Sequence, residues 1–322
     1  MEILVLGCSS VFLRRVLPAL NSCAEITKIH VASKSKSHSL LDNKFCGKLG
    51  IWFDDYSIAI NSLCSDLVYI SLPNHLHFIW AKRSLEAGLH VVIEKPATLK
   101  LSDAECLVDL SYKRNLCFAE STVWPFHPNI EIVKNNLTPF QDKSIVVDAT
   151  FTVPAFKTNN FRNFPEFGGG AFNDLSAYAV SIGRVLFDEK PRSVSGKLLS
   201  FDELTGIDTG FSVKMEFGKG KILQGVFGFG FDYKNTLEIS GSSFLFELNS
   251  VFSPPPDIEI NIKTKIDECC TDQFFKGDPY AKFFDSILAT YKTKERLEWS
   301  KLLLQDADLT YRLKSVIMPL KE

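Results

Sequence analysis

Two side chains that can handle a proton stand close together in the second half of the sequence. Asp174 and Tyr178 are four residues apart, a spacing that places both on one face of a helix. A tyrosine hydroxyl directed at a carbonyl can act as a general acid, and a carboxylate can orient hydroxyl groups. Asp174 falls in the first turn of the predicted helix, where the helix dipole favours its charged form. The alternative is that Asp174 caps the helix and Tyr178 belongs to the core.

A third candidate, Lys95, follows a short apolar run. Residues 89–94 have the pattern of a buried strand, so Lys95 stands at its carboxyl end. In a cleft the lysine ammonium donates hydrogen bonds, and desolvation can lower its pKa until it protonates a developing alkoxide. Pro96 ends the strand, and an X-Pro bond of this kind can be cis.

The first third of the sequence predicts the framework that presents these residues. Short apolar runs alternate there with helical patterns, which is typical of βαβ units and a parallel sheet covered by helices. The predicted strands are residues 3–6, 26–32, 66–72, 89–94 and 117–120, and the predicted helices are residues 14–20 and 78–87, the latter stopped by Gly88. Ligands of an open parallel sheet bind beyond the carboxyl ends of its strands, so binding residues are expected there.

The turn after the first strand is a candidate phosphate-binding turn. In a dinucleotide fold this turn brings backbone N–H groups to the pyrophosphate, and glycines permit the close approach. Gly7 occupies the first glycine position of G-x-G-x-x-G, whereas Ser9 and Phe12 occupy the second and third. Ser10 and Val11 complete the predicted cofactor turn, and Phe12 predicts looser packing of the helix on the sheet. An ordinary strand-to-helix turn is the alternative.

The residues after the second strand bear on which cofactor is preferred. An NAD-preferring site places Asp or Glu here, whereas a 2′-phosphate requires hydroxyls and positive charge. Ser33 and Lys34 follow this strand, with Lys36 and Arg14 as further cations. They favour NADP, and a solvated basic loop is the alternative.

Two more strand ends supply expected cofactor-binding residues. They are Ser71, Leu72, Pro73, Asn74 and His77 at one end, and Glu94 with Lys95 at the other. A histidine at a helix start is commonly a cap or a surface residue. His75 and His77 have no further ligands nearby in sequence, so no metal site is predicted.

From about residue 145 the hydrophobic period changes to two. Alternating residues 211–217 turn through 218–220 into a second apolar strand at 222–231, which predicts an antiparallel hairpin. Further strands are predicted at 236–240, 244–248 and 258–262, and closing helices at 280–290 and 297–313. Many of the 27 phenylalanines fall in this part, on what is expected to be a buried sheet face.

Composition excludes several classes of protein. The chain has 322 residues, with 36 Lys and Arg against 38 Asp and Glu, which gives no basic excess for nucleic-acid binding. Its eight cysteines are scattered, which predicts reduced thiols in the cytoplasm. No apolar run approaches the roughly 18–20 residues that cross a membrane. Residues 5–8 resemble a lipoprotein cleavage box, but too few residues precede Cys8 for a signal peptide.

The order of these motifs resembles the Gfo/Idh/MocA family of sugar and inositol oxidoreductases. The segments that carry the resemblance are residues 72–77, 85–91, 94–96 and 165–170 with Asp174, and it extends from residue 1 to about 190 and weakly to the end. The resemblance implies an α/β fold with a doubly wound parallel Rossmann sheet in residues 1–120. It also implies an α+β substrate domain with a large open-faced antiparallel sheet in residues 121–322. The other face of that sheet commonly packs against a second subunit, so a homodimer or homotetramer is expected.

The resemblance also implies roles for individual residues. Lys95 takes the place of the family lysine near the nicotinamide and the reacting carbon. Tyr178 takes the place of an acid or base that is usually histidine, so Lys95, Tyr178 and Asp174 are the expected catalytic residues. Trp124, His127, Arg162, Asp174 and Tyr178 are the expected substrate-binding residues, with buried packing as the alternative for Trp124.

With Tyr178 at that position, residues 7–10 and 14–20 look most like the branch of nucleotide-sugar C-3 ketoreductases from deoxysugar pathways. This implies an NADP-dependent enzyme, with NAD as the alternative cofactor, that reduces a keto sugar in deoxysugar or surface-polysaccharide biosynthesis. Two other functions stay open: a sugar or inositol dehydrogenase of catabolism, and a nonenzymatic regulator that senses a dinucleotide or sugar.

Overall fold

The computed structural model describes residues 1–34, 42–62 and 65–318. These residues form two compact units. The first comprises Met1–Ser121 with Tyr280–Ala307, and the second comprises Thr122–Pro279 with the chain from Asp308 onwards. The expected domains, residues 1–120 and 121–322, stay a prediction. The observed first unit differs from them by including the segment Tyr280–Ala307.

The first unit contains a parallel sheet. Among the described residues it has six strands in the order β3-β2-β1-β4-β5-β6. Their bounds are β1 (Glu2–Leu6), β2 (Lys28–Ala32), β3 (Leu49–Phe53), β4 (Leu67–Ile70), β5 (His90–Ile93) and β6 (Phe118–Glu120). The doubly wound parallel sheet predicted from the sequence is confirmed, and β3 is an addition to it.

Five of these strands end at the same level. Leu6 pairs with Ala32 on one side and Ile70 on the other. Ile93 in turn pairs with Ile70 and with Glu120. The residues that follow these five ends form one continuous edge of the sheet, called here the carboxyl edge.

Helices accompany the first sheet. They are α1 (Leu17–Ser22), α2 (Tyr56–Asn61), α3 (His77–Glu86) and α4 (Leu101–Arg114). The predicted first helix opens differently, because Phe12–Val16 forms a π-helical turn before α1. Phe12 is fully buried, and its ring centroid lies 6.4 Å from those of both Phe45 and Tyr69. The wider turn therefore accompanies a large side chain where the common pattern has a glycine.

The second unit contains a larger sheet. In the part of the chain that the structure describes, this sheet has eight strands in the order β14-β13-β12-β11-β7-β10-β9-β8. The bounds are β7 (Val146–Val153), β8 (Ser193–Asp202), β9 (Ile207–Glu216), β10 (Ile222–Phe229), β11 (Lys234–Gly241), β12 (Phe244–Asn249), β13 (Ile260–Ile266) and β14 (Cys269–Phe275). The predicted open antiparallel sheet is confirmed, with one addition: β7 and β10 pair in parallel.

Phenylalanines crowd the buried face of this sheet. Phe211, Phe227 and Phe246 are fully buried there, and the rings of Phe211 and Phe227 stack across β9 and β10 with centroids 5.4 Å apart. Many of the phenylalanines thus contribute to the core of the second unit.

The remaining helices are α5 (Pro128–Leu137), α6 (Ala171–Phe187), α7 (Pro279–Thr290) and α8 (Arg296–Ile317). Helix α6 is almost completely buried. Among the helices of the described residues, none combines the length and apolar character needed to cross a membrane.

Candidate active site

Backbone hydrogen bonds draw the predicted cofactor residues together along the carboxyl edge. The N–H of Gly7 donates to the Ala32 carbonyl at 2.9 Å. The N–H of Ser71 donates to the Leu6 carbonyl at 2.8 Å, and that of Glu94 donates to the Ile70 carbonyl at 2.9 Å. The ladder of the sheet therefore continues into the residues expected to bind a ligand.

The turn that begins at Gly7 leaves no space for a side chain. Gly7 has φ +93°, and a Cβ atom built on it would overlap the Ser71 carbonyl oxygen. Ser9 Oγ lies 2.6 Å from Ser71 Oγ and accepts a hydrogen bond from the Phe12 N–H at 3.0 Å. The serine at the second glycine position therefore fastens the turn to the neighbouring strand end.

The residues after β2 are polar and carry no carboxylate. Ser33 is buried and its N–H donates to the Phe53 carbonyl at 2.9 Å. Lys34 is exposed, with its ammonium 5.4 Å from the Tyr56 ring centroid. Arg14 Nε donates to the carbonyl and the hydroxyl of Ser10, at 3.3 and 3.1 Å. Lys36 lies outside the described residues.

These features fit a phosphorylated dinucleotide. Gly7 permits close approach of the backbone, and Ser9 and Ser10 place hydroxyls on the turn. Ser33 and Lys34 supply a hydroxyl and a cation where a carboxylate would repel a 2′-phosphate. Val11, the last residue of the predicted turn, immediately precedes the π-helical turn.

His77 joins two loops of the carboxyl edge. Its side chain is fully buried, and Nδ1 and Nε2 each lie 2.8 Å from a backbone carbonyl oxygen, of Pro96 and Leu72 respectively. Burial lowers the pKa of His77, while the two carbonyls act in the opposite direction. The contacts of His77 are thus with the protein's own backbone, and its expected contact with the cofactor stays a prediction. Between these loops, Asn74 is buried and Pro73 is half-buried.

The loop that carries Lys95, residues 94–97, is anchored on both sides. Before Lys95, the buried Glu94 accepts a short hydrogen bond from the Tyr69 hydroxyl. After it, the Ala97 N–H donates to Glu120 Oε2 at 2.7 Å. The Lys95–Pro96 peptide bond is cis. Burial raises the pKa of Glu94, and burial also raises the pKa of Tyr69.

Tyr69 and Glu120 did not emerge from the sequence as site residues. Each belongs to a neighbouring strand and reaches the Lys95 loop only through the order of the sheet. The sequence carries one weak signal for them, a polar atom on a buried strand, since such a group needs a hydrogen-bond partner.

The second unit brings together Arg162 and Asp174. Arg162 Nε lies 2.9 Å from Asp174 Oδ2, and Asp174 is 6% exposed. The Arg162 guanidinium carbon also lies 4.6 Å from the Phe161 ring centroid and 5.1 Å from that of Phe156. Asp174 is therefore an ion-paired carboxylate, suited to accepting hydrogen bonds rather than removing a proton.

Tyr178 lies one helical turn after Asp174 on α6. Its half-buried ring makes edge and tilted contacts with Phe151 and Phe252, at centroid distances of 5.0 and 5.6 Å. The contacts of the Tyr178 ring are therefore those of a packed aromatic side chain, as the alternative predicted. Its catalytic role, like that of Lys95, stays a prediction.

Trp124 and His127 are buried within the second unit. Trp124 is fully buried, and its Nε1 donates to Ser181 Oγ at 2.9 Å. His127 is 1% exposed, its Nδ1 accepts from the Asn129 N–H at 3.4 Å, and burial lowers its pKa. The contacts of Trp124 are those of a packed core side chain. Contact of Trp124 or His127 with the substrate stays a prediction. Across residues 1–34, 42–62 and 65–318, no group of three metal-ligating side chains is present.

Two family models match the chain. Residues 1–122 match the model described as an oxidoreductase family with an NAD-binding Rossmann fold, and residues 143–245 match the GFO/IDH/MocA C-terminal domain. The chain belongs to the Gfo/Idh/MocA family. The resemblance expected from the sequence is confirmed.

Relatives of the chain include two sugar oxidoreductases. The chain is 30% identical over 253 residues to dTDP-3,4-didehydro-2,6-dideoxy-alpha-D-glucose 3-reductase of Streptomyces violaceoruber, covering 78% of this chain and 73% of the relative. It is 24% identical over 298 residues to D-xylose 1-dehydrogenase (NADP(+)) 2 of Haloferax volcanii, covering 90% and 89%.

A solved structure has the same fold. It is a 3-ketoreductase from Actinomadura kijaniata in complex with NADP and TDP-benzene, with a TM-score of 0.87, 24% identity and coverage of 98% of both chains. The expected fold is thereby confirmed, and the family models confirm the expected class, a Gfo/Idh/MocA oxidoreductase.

Proposed function

We propose that this chain is an NADP-dependent reductase that acts on a keto group of a nucleotide-linked deoxysugar. The observation that carries the proposal is the anchored Lys95 loop at the carboxyl edge, held by Glu94, Glu120 and His77. The Streptomyces relative is named for reduction at carbon 3 of such a sugar, and the Actinomadura structure contains NADP with a TDP compound.

The turn at Gly7 and the residues Ser33 and Lys34 would hold the dinucleotide. When bound, the reduced nicotinamide supplies the hydride. The chain itself supplies a binding surface, orientation and a proton. The absence of a carboxylate at positions 33–36 supports NADP over NAD.

Reduction of a carbonyl needs one hydride on carbon and one proton on oxygen. In our proposal the Tyr178 hydroxyl donates that proton, and the Lys95 ammonium stabilises the negative charge that develops on the oxygen. The reverse assignment, with Lys95 as the donor, uses the same two groups. Arg162 holds the Asp174 carboxylate in place, so that Asp174 accepts hydrogen bonds from sugar hydroxyls.

The same residues would support the opposite direction. The resemblance to the Haloferax dehydrogenase favours sugar oxidation as the second candidate function. A regulator without catalysis has no need for an anchored lysine loop, so that alternative has the least support.

Kinetics with a dTDP-linked 3-keto sugar tests the proposal. We expect oxidation of NADPH to be faster than that of NADH, and Lys95→Ala and Tyr178→Phe each to lower kcat by about a hundredfold. Lys100→Ala and Tyr311→Phe, which change the same residue types elsewhere, should retain wild-type rates. If both site variants retain wild-type rates, the assignment of this site is wrong.

We also propose a homodimer or homotetramer in the cytoplasm, assembled through the outer face of the large sheet. The paired residues Asp148, Glu238 and Glu247 form an acidic row there, with Lys263 paired to Glu247. Sedimentation at low and high salt tests this, and a monomer under both conditions contradicts it.

A further inference from the structure

The amino-terminal end of α6 is capped by a residue from another element. Gly170 precedes the helix and has no side chain to cap it. Instead Asp208, on β9, accepts a hydrogen bond from the Phe172 N–H to Oδ2 at 2.5 Å. Asp208 is only 9% exposed, and burial raises the pKa of its carboxyl. A buried carboxylate therefore satisfies a backbone donor that the helix leaves open.

Asp208 also contacts the turn that leads into the helix. Gly170 has φ +101°, and a Cβ atom built there would overlap Asp208 Oδ1. The Gly170 N–H donates to the Arg162 carbonyl at 2.9 Å, and the Gly169 N–H donates to the Phe164 carbonyl at 3.0 Å. The loop of residues 161–170, which carries Arg162, is thus fixed to α6 at the point where Asp208 lies.

A cation from the last helix completes this arrangement. Lys314 Nζ donates to Asn173 Oδ1 at 3.5 Å, and Asn173 Nδ2 donates to the Gly169 carbonyl at 2.9 Å. Burial lowers the pKa of Lys314, and the charge of Asp208 acts in the opposite direction. The first turn of α6 is therefore held by an acid and a base from two separate elements.

We propose that Asp208 is a positioning residue for the reaction, an inference that rests on the proposed function. Asp174 and Tyr178 follow Phe172 by two and six residues, about 3 and 9 Å along the helix axis at 1.5 Å per residue. Asp208 fixes the axial and rotational position of this helix end, and with it both proposed site groups and the Arg162 loop. Asp208 itself accepts a backbone hydrogen bond and acts through these groups.

The test compares turnover with cofactor binding. Asp208→Ala should lower kcat by about tenfold or more, because misplacement of reacting groups by a fraction of an ångström is costly. The affinity for NADPH, measured by fluorescence titration, should stay within twofold of wild type. Asp208→Asn keeps an acceptor of the same shape and should restore most of the kcat.

Asp202→Ala is the matched control. Asp202 also accepts a backbone N–H, that of Leu204 at 3.0 Å, but in the turn between β8 and β9. Asp202→Ala should lower thermal stability and leave kcat unchanged. If Asp208→Ala does not fold, Asp208→Asn and Asp208→Ser take its place, with the serine variant expected to lose turnover and the asparagine variant to keep it.

Two results overturn the inference. The first is a kcat for Asp208→Ala, or for Asp208→Ser in its place, equal to that of Asp202→Ala. The second is a fall in kcat for Asp208→Asn as large as the fall for Asp208→Ala or Asp208→Ser. Failure of the proposed function gives a different pattern. In that case wild type shows no turnover of keto sugars, or Tyr178→Phe leaves it unchanged.

Discussion

At the carboxyl edge of the parallel sheet, the turns that carry Gly7, Ser9 and His77 are held by close backbone packing and by contacts with hydroxyl and carbonyl groups. On α6 the corresponding support comes from charges, since Arg162 pairs with Asp174 and Asp208 caps the helix. The difference suits the proposed division of work. A cofactor that is bound along its length requires a fixed surface, whereas substrate hydroxyls require oriented charge.

Blocking the close contact between the backbones of Gly7 and Ser71 at the carboxyl edge should have the largest effect. Gly7→Ala introduces a Cβ into the Ser71 carbonyl at a positive φ. We expect a loss of stability of about 4 kcal/mol and a fall in NADPH affinity of about a hundredfold. Thermal unfolding and fluorescence titration measure the two quantities.

Gly88→Ala is the control for this change. Gly88 also has a positive φ, of +84°, but nothing lies within 4 Å of the position that a Cβ atom would take. It should lose about 1 kcal/mol and keep its NADPH affinity. Equal losses in the two variants would mean that φ alone, and not the close approach, matters at Gly7.

Removing the charge support in the second unit should come next. Arg162→Gln removes the guanidinium that pairs with the buried Asp174 carboxylate, which we expect to cost about 3 kcal/mol. NADPH affinity should not change. Chemical unfolding measures the loss, and Lys301→Gln, which removes the exposed pair with Glu298, should leave stability unchanged. A similarly small loss of stability in Arg162→Gln and Lys301→Gln would contradict the view that charges support the site residues of the second unit.

His77→Asn tests the connection that His77 makes between two loops of the carboxyl edge. The shorter side chain cannot reach both the Leu72 and Pro96 carbonyls, and we expect a loss of about 2 kcal/mol because a buried carbonyl oxygen loses its donor. The loss should be accompanied by a lower kcat, because the Lys95 loop is released on one side. His75→Asn, at an exposed neighbour, is the control, and equal stability in the two variants would contradict the bridging role.

A pH dependence should give the smallest effect. Burial lowers the pKa of His77, His90 and His127 in the folded chain. Their contribution to stability is therefore present above the unfolded pKa of about 6.5 and is lost as pH falls towards the folded values. Each group adds a slope of at most about 1.4 kcal/mol per pH unit. Urea unfolding between pH 8 and pH 5.5 should show the decrease, and an unchanged slope in His77→Asn would exclude His77 as a source.

The sequence predicted those elements whose signal is local. The buried strands of the first sheet and the phenylalanine-rich hairpin of β9 and β10 have unbroken apolar or alternating patterns, and both are present in the structure. Strand β14 is almost entirely exposed and has no clear apolar pattern. Strand β3 is only partly buried, although its sequence LGIWF is apolar. Strand β8 lies at the edge of its sheet and is exposed along much of its length.

Contacts between distant segments could not be predicted in the same way. The parallel pairing of β7 with β10 joins strands separated by two others in the chain. Asp208 and Glu120 support site loops through hydrogen bonds that depend on the completed sheets. By contrast, Asp174 and Tyr178 could be paired from the sequence because helical spacing alone brings them onto one face.

Transfer of deuterium is the most direct test of the central claim. Wild-type protein is incubated with a dTDP-linked 3-keto sugar and with NADPH that carries deuterium at the transferred position. The mass of the sugar product is then measured by mass spectrometry. The proposed function predicts one deuterium at the reduced carbon, and a Tyr178→Phe variant that forms this product far more slowly. NADPH binding without any deuterium in a sugar product, across the keto sugars tried, would contradict it.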